Sequence, residues 1–343
     1  MATIIRWLST LRIIAVTLPL AEKSIHAGGR NLFVSVYRGT ATVQGEGLED
    51  SVVSTLPASR GPEDRPTVGD WLLIDRDSRT LVRILDRASL FKRPAPGDDR
   101  RLQLIAANVD TLFVVTSCNQ GFNVARLERY LVVAQEVGVY PVIVLTKSDM
   151  TAHQDGFLDA ARALQPGLQV EVINGRDPES VARLAVYCGL GQTVALVGSS
   201  GVGKSTLVNT MRGSDTIPTQ AVRENDGKGL HTTTVREMHR LGFGLEGGGW
   251  LIDTPAMREF WMSEVTAGVA GLFDDIVATT LRCRFTNCFH ADEPECTIRG
   301  ALGQGTLEPA RVHRWRKLAS EDATNSEYLA TRRTRPGQGG KRN

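Results

Sequence analysis

The chain has 343 residues, a length that allows two or three domains with well-buried cores. Its hydrophobic content of 41% and charged content of 23% are ordinary for a soluble globular protein. The net charge of +2 excludes a chain-wide polyanion-binding surface, so any nucleic-acid contact must be a local patch. Of the 5 cysteines, three cluster near the C-terminus beside a histidine, which indicates a metal site rather than disulfides and fits a reducing cytosol.

Residues 1–28 form an N-terminal extension. Residues 4–21 are fairly apolar, but their longest uncharged run, 13–21, is too short to span a bilayer. A signal peptide is an alternative, because a basic start precedes the apolar stretch. We favour a flexible or helical extension, because the motifs downstream belong to intracellular chemistry, and we expect a cytoplasmic protein with no membrane contact.

Short strands broken by turns fill residues 29–101. Apolar runs at 32–37, 71–74 and 81–85 recur at a spacing that suggests a small barrel. The stretch 92–101 is basic at both ends and has the composition of a linker. We therefore expect a barrel domain that ends with this linker.

Strands alternate with helices over residues 102–262, which predicts an α/β sheet with ligand loops at its carboxyl edge. The segments 110–116, 141–145 and 193–197 are near-continuous apolar runs, as expected for buried parallel strands. A helical pattern covers 123–137. This region is the predicted nucleotide domain.

The segment Gly-Ser-Ser-Gly-Val-Gly-Lys-Ser at 198–205 matches the phosphate-loop pattern G-x-x-x-x-G-K-[ST] in full. Its glycines let the backbone wrap so that several N–H groups point at a β-phosphate, and the following helix N-terminus adds a favourable partial charge. We assign the contact with the β- and γ-phosphates to Lys204 and the ligation of Mg²⁺ to Ser205. Its position between an apolar strand and a helix disfavours a chance glycine-rich turn.

A guanine-type signature, Thr146-Lys147-Ser148-Asp149, lies at the end of a predicted buried strand. A carboxylate at Asp149 can accept hydrogen bonds from N1 and N2 of guanine, a pair of donors that adenine lacks, and Lys147 is expected over the base. Such a pattern alone is often a solvated turn, but its place at a strand tip favours nucleotide binding. Residues 174–175 are a weaker candidate for the next base-contacting loop.

Two switch segments follow the phosphate loop. Residues 229–234 fit a first switch, in which a threonine hydroxyl completes the Mg²⁺ shell and senses the γ-phosphate. Thr233 is the predicted residue and Thr234 the alternative, while a β-branched strand start is the competing interpretation. In the second switch, Asp253 is expected to hold Mg²⁺ through a water.

The second switch departs from the D-x-x-G pattern. Ala256 replaces the glycine, which keeps the N–H but restricts φ. Met257 stands where Ras-type enzymes have the glutamine that orients the attacking water, and a thioether cannot do this. Intrinsic hydrolysis should therefore be slow and should need help from a partner or another residue, for which His231 is a candidate.

The order of the motifs is permuted. The base-reading motif comes first, the phosphate loop second and the switches last, whereas an ordinary small GTPase begins with its phosphate loop. The last switch therefore runs directly into the C-terminal region.

The C-terminal region, 263–330, is helical and irregular and carries four soft ligands within fourteen positions, Cys283, Cys288, His290 and Cys296. Zinc favours tetrahedral S/N ligation of this kind, and closed four-ligand sites are structural.

Two cysteines and the C-terminal segment have no assigned chemistry. Cys118 and Cys188 lie in or beside apolar segments and are predicted to be core or surface thiols. The last segment, 331–343, holds five basic residues and no acid, which predicts a disordered basic tail.

Together these motifs resemble the RsgA (YjeQ) family, the circularly permuted GTPases of bacterial small-subunit ribosome assembly. The resemblance covers residues 30–320 and includes Val68-Gly69-Asp70, residues 106–110 and the helix after Phe122. It implies an OB-fold N-terminal domain, a permuted GTPase domain and a helical zinc domain. It also implies nucleotide contacts along both binding motifs, at Thr146, Lys147, Ser148, Asp149, Gly198, Ser199, Ser200, Gly201, Val202, Gly203, Lys204, Ser205 and Thr206.

The resemblance further implies binding to the 30S subunit and its 16S rRNA, and GTP hydrolysis that the subunit stimulates. The departures from the family pattern are Ala256, Leu230 where an arginine is usual, and the long extension. We expect one structural Zn²⁺, Mg²⁺ with GTP, and a monomer that assists late maturation of the subunit. We also expect the γ-phosphate to reposition the C-terminal domain relative to the barrel.

Two other functions remain open from the sequence. A GTP-gated RNA-binding protein with negligible turnover is supported by Met257. An ATP-using P-loop enzyme with a structural zinc is disfavoured by Asp149.

Overall fold

The computed structural model describes residues 28–37, 40–45, 48–53, 61–75, 81–94, 102–213, 237–242, 248–253, 265–285 and 288–333. Five parts of the sequence interpretation lie outside these residues. They are the extension at 1–27, residues 95–101 of the linker, the first switch at 229–234 with Thr233, positions 254–257 of the second switch, and the tail from 334 onward.

The described residues contain thirteen strands and eight α-helices. The strands are β1 (Gly28–Tyr37), β2 (Thr40–Gly45), β3 (Leu48–Val53), β4 (Trp71–Asp75), β5 (Leu81–Ile84), β6 (Leu90–Pro94), β7 (Leu102–Ala107), β8 (Thr111–Ser117), β9 (Tyr140–Thr146), β10 (Gln169–Val172), β11 (Thr193–Val197), β12 (Glu237–Arg240) and β13 (Trp250–Asp253). The helices are α1 (Val124–Val137), α2 (Gln154–Arg162), α3 (Pro178–Val181), α4 (Lys204–Arg212), α5 (Thr266–Leu272), α6 (Asp274–Thr280), α7 (Thr297–Gly303) and α8 (Pro309–Arg333).

The nucleotide domain is built on a parallel sheet. Strands β10, β9, β8, β11 and β13 lie side by side in that order, and each neighbouring pair is parallel. Every residue of β8 and β11 is buried, which explains their continuous apolar sequences. The carboxyl ends of these strands meet at one edge, where the two nucleotide-binding motifs and Asp253 are located.

The same sheet continues into the N-terminal strands. Strand β12 pairs antiparallel with β13, and β1 pairs antiparallel with β12 at Ser35 and Glu237. Strand β1 also pairs with β2 and β4, which in turn pair with β3 and β5. Eleven described strands therefore form one sheet across both regions of the sequence.

The turn before β4 fixes the N-terminal strands against β7. Gly69 has a φ of +92°, and a Cβ there would lie 2.1 Å from the carbonyl oxygen of Ala107, so this close approach requires glycine. The adjacent Asp70 is fully buried and accepts hydrogen bonds from the Arg87 guanidinium at 2.7 and 2.8 Å and from the Thr67 N–H at 2.7 Å.

The linker predicted at 92–101 is wrong for residues 92–94, which belong to strand β6. Strands β6 and β7 form an antiparallel pair. Phe91 anchors β6 in the core, while Lys92 points outward and forms an ion pair with Glu63 at 2.7 Å. Lys92 therefore lies on the solvent side of the strand, whereas Arg93 is half-buried and donates from Nε to Gln103 at 3.1 Å. The domain boundary expected after the linker falls between two paired strands.

The C-terminal helices pack on α1. A Cβ on Gly268 of α5 would lie 2.1 Å from the carbonyl oxygen of Val132, so the two helix backbones are in close contact. The Gly268 N–H also donates to the Glu136 carboxylate at 2.8 Å. From α8, the buried Asp322 accepts the N–H of Val265 at 2.9 Å and thereby satisfies a backbone donor at the start of α5.

Helix α8 extends further than the sequence suggested. It ends at Arg333, so residues 331–333, which were assigned to the disordered tail, are helical. This end of α8 contains leucine, alanine and arginine, which have high helix propensity, and it continues a helix already formed.

Candidate active site

The phosphate loop connects β11 to α4 and is wrapped closely over β8. Gly198, Gly201 and Gly203 have φ values of +147°, +79° and +97°, which glycine adopts without strain. A Cβ on Gly198 would lie 2.2 Å from the carbonyl oxygen of Val115. The three glycines are therefore required by the backbone path itself.

The Lys204 side chain folds back into the phosphate loop. Its Nζ donates to the carbonyl oxygen of Gly198 at 2.6 Å and to that of Ser199, and the residue is only 8% exposed. Ser205 and Thr206 follow in the first turn of α4, and both are half-buried. The ammonium group is thus held inside the loop that would surround a phosphate.

The base-reading motif is tied to the phosphate loop by two side chains. The buried Thr146 hydroxyl lies 2.5 Å from the carbonyl oxygen of Val202 and 3.0 Å from that of Thr116. Lys147, with a left-handed φ of +57°, donates from Nζ to the carbonyl oxygen of Gly201 at 2.7 Å. The two motifs, which are about fifty residues apart in sequence, therefore form one structural unit.

The rest of the base-reading motif lies at the same edge. Asp149 is exposed, and the N–H of the preceding Ser148 donates to the carbonyl oxygen of Ile173 at 3.3 Å. The Thr210 hydroxyl of α4 donates to the carbonyl oxygen of Gly175 at 2.7 Å. Residues 174–175 therefore lie between the Asp149 turn and α4, where a second base-contacting loop would have to be.

Asp253 is the last residue of β13 and is half-buried. Because β13 pairs in parallel with β11, Asp253 emerges at the same edge as the phosphate loop. Thr233, the other predicted Mg²⁺ ligand, and Met257 lie outside the described residues.

A second candidate site lies between α6 and α7. One ligand atom from each of Cys283, Cys288, His290 and Cys296 lies within 4.8 Å of all the others. Tetrahedral zinc with Zn–S bonds of about 2.3 Å needs sulfur atoms roughly 3.8 Å apart, so a small contraction would close the site. Three thiols and one imidazole are a donor set that suits Zn²⁺.

The surroundings of His290 favour its metal-binding form. Burial, and then the nearby Arg316 guanidinium, lower the pKa of His290, so the neutral imidazole that binds metal is favoured. Its ring centroid lies 5.7 Å from that of Trp315 on α8, and Arg316 donates to its carbonyl oxygen. Helix α8 therefore fixes this ligand in place.

The sequence model described as RsgA GTPase matches residues 84–263, more than half of the chain. This chain belongs to the RsgA GTPase family. The family assignment confirms the resemblance seen in the sequence, and with it a P-loop enzyme that hydrolyses GTP.

Named relatives in the RsgA GTPase family cover most of the chain. A small ribosomal subunit biogenesis GTPase RsgA of Mesorhizobium japonicum is 50% identical over 262 residues, which are 76% of this chain and 74% of that protein. An RsgA 2 protein of Vibrio parahaemolyticus is 47% identical over 275 residues, 80% of this chain and 75% of its own.

Two solved structures have the same fold. YjeQ from Thermotoga maritima aligns with a TM-score of 0.61 at 23% identity and covers 86% of this chain and 98% of its own. YloQ, described as a circularly permuted GTPase, aligns with a TM-score of 0.57 at 22% identity and covers 91% and 99%. The permuted GTPase fold predicted from the motif order is thereby confirmed.

One contact to the phosphate loop of this RsgA GTPase was missed in the sequence. Arg126, in the first turn of α1, donates from Nη1 to the Ser199 hydroxyl. The two residues are 73 positions apart, and neither hydrophobic periodicity nor a known motif links them.

Two ion pairs between α1 and α8 were also missed. The buried Glu128 accepts from Arg314 at 2.7 Å through Oε2, while its Oε1 has no hydrogen-bond partner. Burial raises the pKa of the Glu128 carboxyl against the lowering effect of Arg314. Arg129 donates from a single nitrogen, Nη2, to both carboxylate oxygens of Glu321, at 2.6 and 2.9 Å.

Within the described part of the chain, no helix has the length and apolar character that a membrane crossing requires.

Proposed function

We propose that this chain is a GTPase of small ribosomal subunit biogenesis. It binds the 30S subunit through 16S rRNA, assists late maturation, and hydrolyses GTP to GDP and phosphate at a rate that the subunit raises. The supporting observation is the unit formed by the phosphate loop and the base-reading motif, in a chain whose relatives are named for this process. The protein acts as a monomer in the cytoplasm.

The nucleotide is held at the carboxyl edge of the parallel sheet. The phosphate-loop N–H groups and Lys204 bind the β- and γ-phosphates. Ser205, Asp253 and Thr233 would hold the Mg²⁺ that accompanies GTP, which would neutralise charge on the phosphates. The remaining members of the two motifs position the phosphates and the base, namely Thr146, Lys147, Ser148, Gly198, Ser199, Ser200, Gly201, Val202, Gly203 and Thr206.

Guanine is selected by Asp149. Its carboxylate is exposed at the edge of the site, where it can accept the N1 and N2 hydrogens of guanine. Adenine lacks this pair of donors, so its binding would leave the carboxylate unpaired, which costs affinity. This role of Asp149 argues against the ATP-using alternative.

Hydrolysis needs help from the bound subunit. Met257 replaces the glutamine that orients water in Ras-type enzymes, and Ala256 keeps the N–H that contacts the γ-phosphate but restricts its backbone. A slow basal reaction that accelerates in the complex follows from this, and a GTP-gated protein with negligible turnover is the disfavoured alternative.

The other regions supply the contacts with the subunit. Residues 29–101 form an OB-type barrel whose sheet face binds rRNA. The GTPase domain occupies 102–262, and 263–330 form a helical domain stabilised by one structural Zn²⁺ on Cys283, Cys288, His290 and Cys296. An N-terminal extension up to residue 27 and a basic tail from residue 334 flank these domains.

The deciding experiment is GTP hydrolysis by the purified protein in Mg²⁺, with and without purified 30S subunits. We expect a slow basal rate that rises by about two orders of magnitude or more with 30S, as for other GTPases completed by a partner. Lys204→Ala is the control for hydrolysis at this site and should abolish the reaction. A rate that stays flat while GTP still binds would overturn the proposal in favour of a GTP-gated RNA-binding protein.

A further inference from the structure

The phosphate loop has a second tie, on the side away from the base-reading motif. Lys147 and Thr146 hold its middle residues, Gly201 and Val202, from the strand β9 side. Arg126 holds its beginning from α1 through the Ser199 hydroxyl. Among the described residues, the bond from Arg126 to Ser199 is the side-chain hydrogen bond that joins α1 to the phosphate loop.

The residue that Arg126 holds is part of the phosphate-binding geometry. The carbonyl oxygen of Ser199 accepts a hydrogen bond from Lys204 Nζ, and Gly198 before it accepts another. A shift of Ser199 would therefore move the ammonium group that binds the phosphates. An arginine fixes such a position well, because its planar guanidinium is always charged and presents several donors.

Helix α1 is in turn fastened to the C-terminal helices. Arg129, one turn after Arg126, pairs with Glu321 of α8, and the buried Glu128 pairs with Arg314 of the same helix. Gly268 of α5 touches the α1 backbone. These contacts connect α8, through α1, to the residues in the first turn of α1.

We propose that Arg126 is a positioning residue for nucleotide binding, which preorganises the phosphate loop through Ser199 and makes its affinity depend on how α8 is seated on α1. This regulation rests on the nucleotide site proposed above. Because coupling between two sites is reciprocal, a partner that moves α8 changes nucleotide affinity, and bound nucleotide changes the affinity for that partner.

The first test measures affinity for fluorescent GDP and for a non-hydrolysable GTP analogue, together with kcat at saturating GTP, on the full-length protein. Arg126→Ala should weaken both affinities about fivefold, the loss expected for one solvent-accessible hydrogen bond from a charged donor. The kcat should stay within about twofold, because the loop geometry is shared by ground state and transition state. Arg126→Lys, which keeps a donor, should recover part of the affinity.

A double-mutant cycle tests whether Arg126 acts through Ser199. In a Ser199→Ala background, Arg126→Ala should cause no further loss of affinity, since the bond that it removes is already absent. Arg162→Ala, an exposed arginine of α2, is the matched control and should bind as wild type. Unchanged melting temperatures would exclude a general loss of stability as the cause.

Three outcomes would overturn the inference: wild-type affinity in Arg126→Ala, additive losses in the double variant, or a loss confined to kcat. Lys204→Ala separates these from failure of the nucleotide site itself. If Lys204→Ala binds nucleotide as wild type does, the proposed site is wrong, whatever Arg126 does.

The second test addresses α8. Glu321→Lys places a positive charge beside Arg129 and should weaken GDP binding about threefold, as expected for a repulsive pair at a partly exposed position. The effect should disappear in an Arg126→Ala background, because the hydrogen bond from residue 126 to Ser199 is already absent. Lys317→Ala, an exposed residue of the same helix, is the control. A Glu321→Lys effect of equal size in both backgrounds would contradict the coupling through Arg126.

Discussion

The phosphate loop and the cysteine–histidine cluster are both ligand sites, but they are supported differently. The loop rests on β8 and β11, which are buried along their whole length, and neighbouring side chains tie its backbone. The cluster lies among short helices where Leu281 and Phe289 remain 82% and 81% exposed. The difference predicts that the phosphate loop keeps its shape without a ligand, whereas the cluster would depend more on the Zn²⁺ proposed for it.

Removing the proposed Zn²⁺ should have the largest effect. Structural zinc contributes on the order of 10 kcal/mol to the folding of the segment that binds it, so chelation or Cys288→Ser should unfold the region around the cluster. The parallel sheet should persist, because its core does not use the metal. On the same samples, limited proteolysis measures unfolding around the cluster, zinc analysis measures metal content, and GDP binding measures the integrity of the nucleotide site.

Cys188→Ala is the matched control for metal removal, since Cys188 is buried in the sheet core away from the cluster. It should retain one zinc per chain. If the metal-free protein gave the same proteolysis pattern as the metal-bound protein, the proposed contrast between the two sites would fail.

A smaller effect is expected from Gly198→Ala in the phosphate loop. The added Cβ would meet the Val115 carbonyl oxygen at 2.2 Å in a left-handed backbone position. The cost should be about 3 kcal/mol in unfolding free energy, because backbone atoms on both sides must move. Urea unfolding and GDP binding should both report the loss.

Gly156→Ala serves as the comparison for Gly198→Ala. Gly156 lies in the exposed part of α2, and a Cβ there meets nothing within 4 Å. This substitution should stabilise the protein by about 0.5–1 kcal/mol through helix propensity alone. Equal effects of the two substitutions would mean that the loop is not held as closely as the structure indicates.

The pH dependence associated with Glu128 should be the smallest effect. Burial raises its pKa above the ordinary value of 4.5, while Arg314 and Arg311 lower it and Glu308 raises it. The folded chain therefore holds this proton more tightly than the unfolded chain. The resulting stability is present below pH 4.5 and is lost as the pH rises through the folded-state pKa.

Glu128→Gln should remove this part of the pH dependence, because the amide does not titrate between acidic and neutral pH. Urea unfolding of the variant and the wild type over a pH series measures the difference directly. Glu179→Gln, an exposed glutamate of α3, is the control. Parallel pH curves for Glu128→Gln and wild type would show that burial of this carboxyl has no effect on stability.

Much of the parallel sheet could be predicted because its signals are local. A buried strand such as β8 or β11 is a short apolar run, and the phosphate loop is a contiguous motif with a geometric reason for each glycine. The placement of the base-reading motif beside the loop followed from parallel strands that end at one edge. The roles of Thr233 and Met257 stay predictions.

The connections between regions could not be predicted, because they depend on residues far apart in sequence. Arg126 reaches Ser199 across 73 positions, and Arg314 reaches Glu128 across 186. An arginine on a polar helix face has the same local pattern whether it is solvated or paired. Residues 92–94 of β6 were mistaken for part of a linker for a related reason, since the basic Lys92 and Arg93 dominated the composition.

The pairing of β1 with β12 has a consequence for folding during translation. Ser35 leaves the translating ribosome about two hundred residues before Glu237, which at roughly 5–20 residues per second is an interval of about ten to forty seconds. During that time the β1 edge has no β12 to pair with, and an open strand edge can capture another chain. Assembly of the shared sheet must therefore wait until most of the GTPase domain has been made.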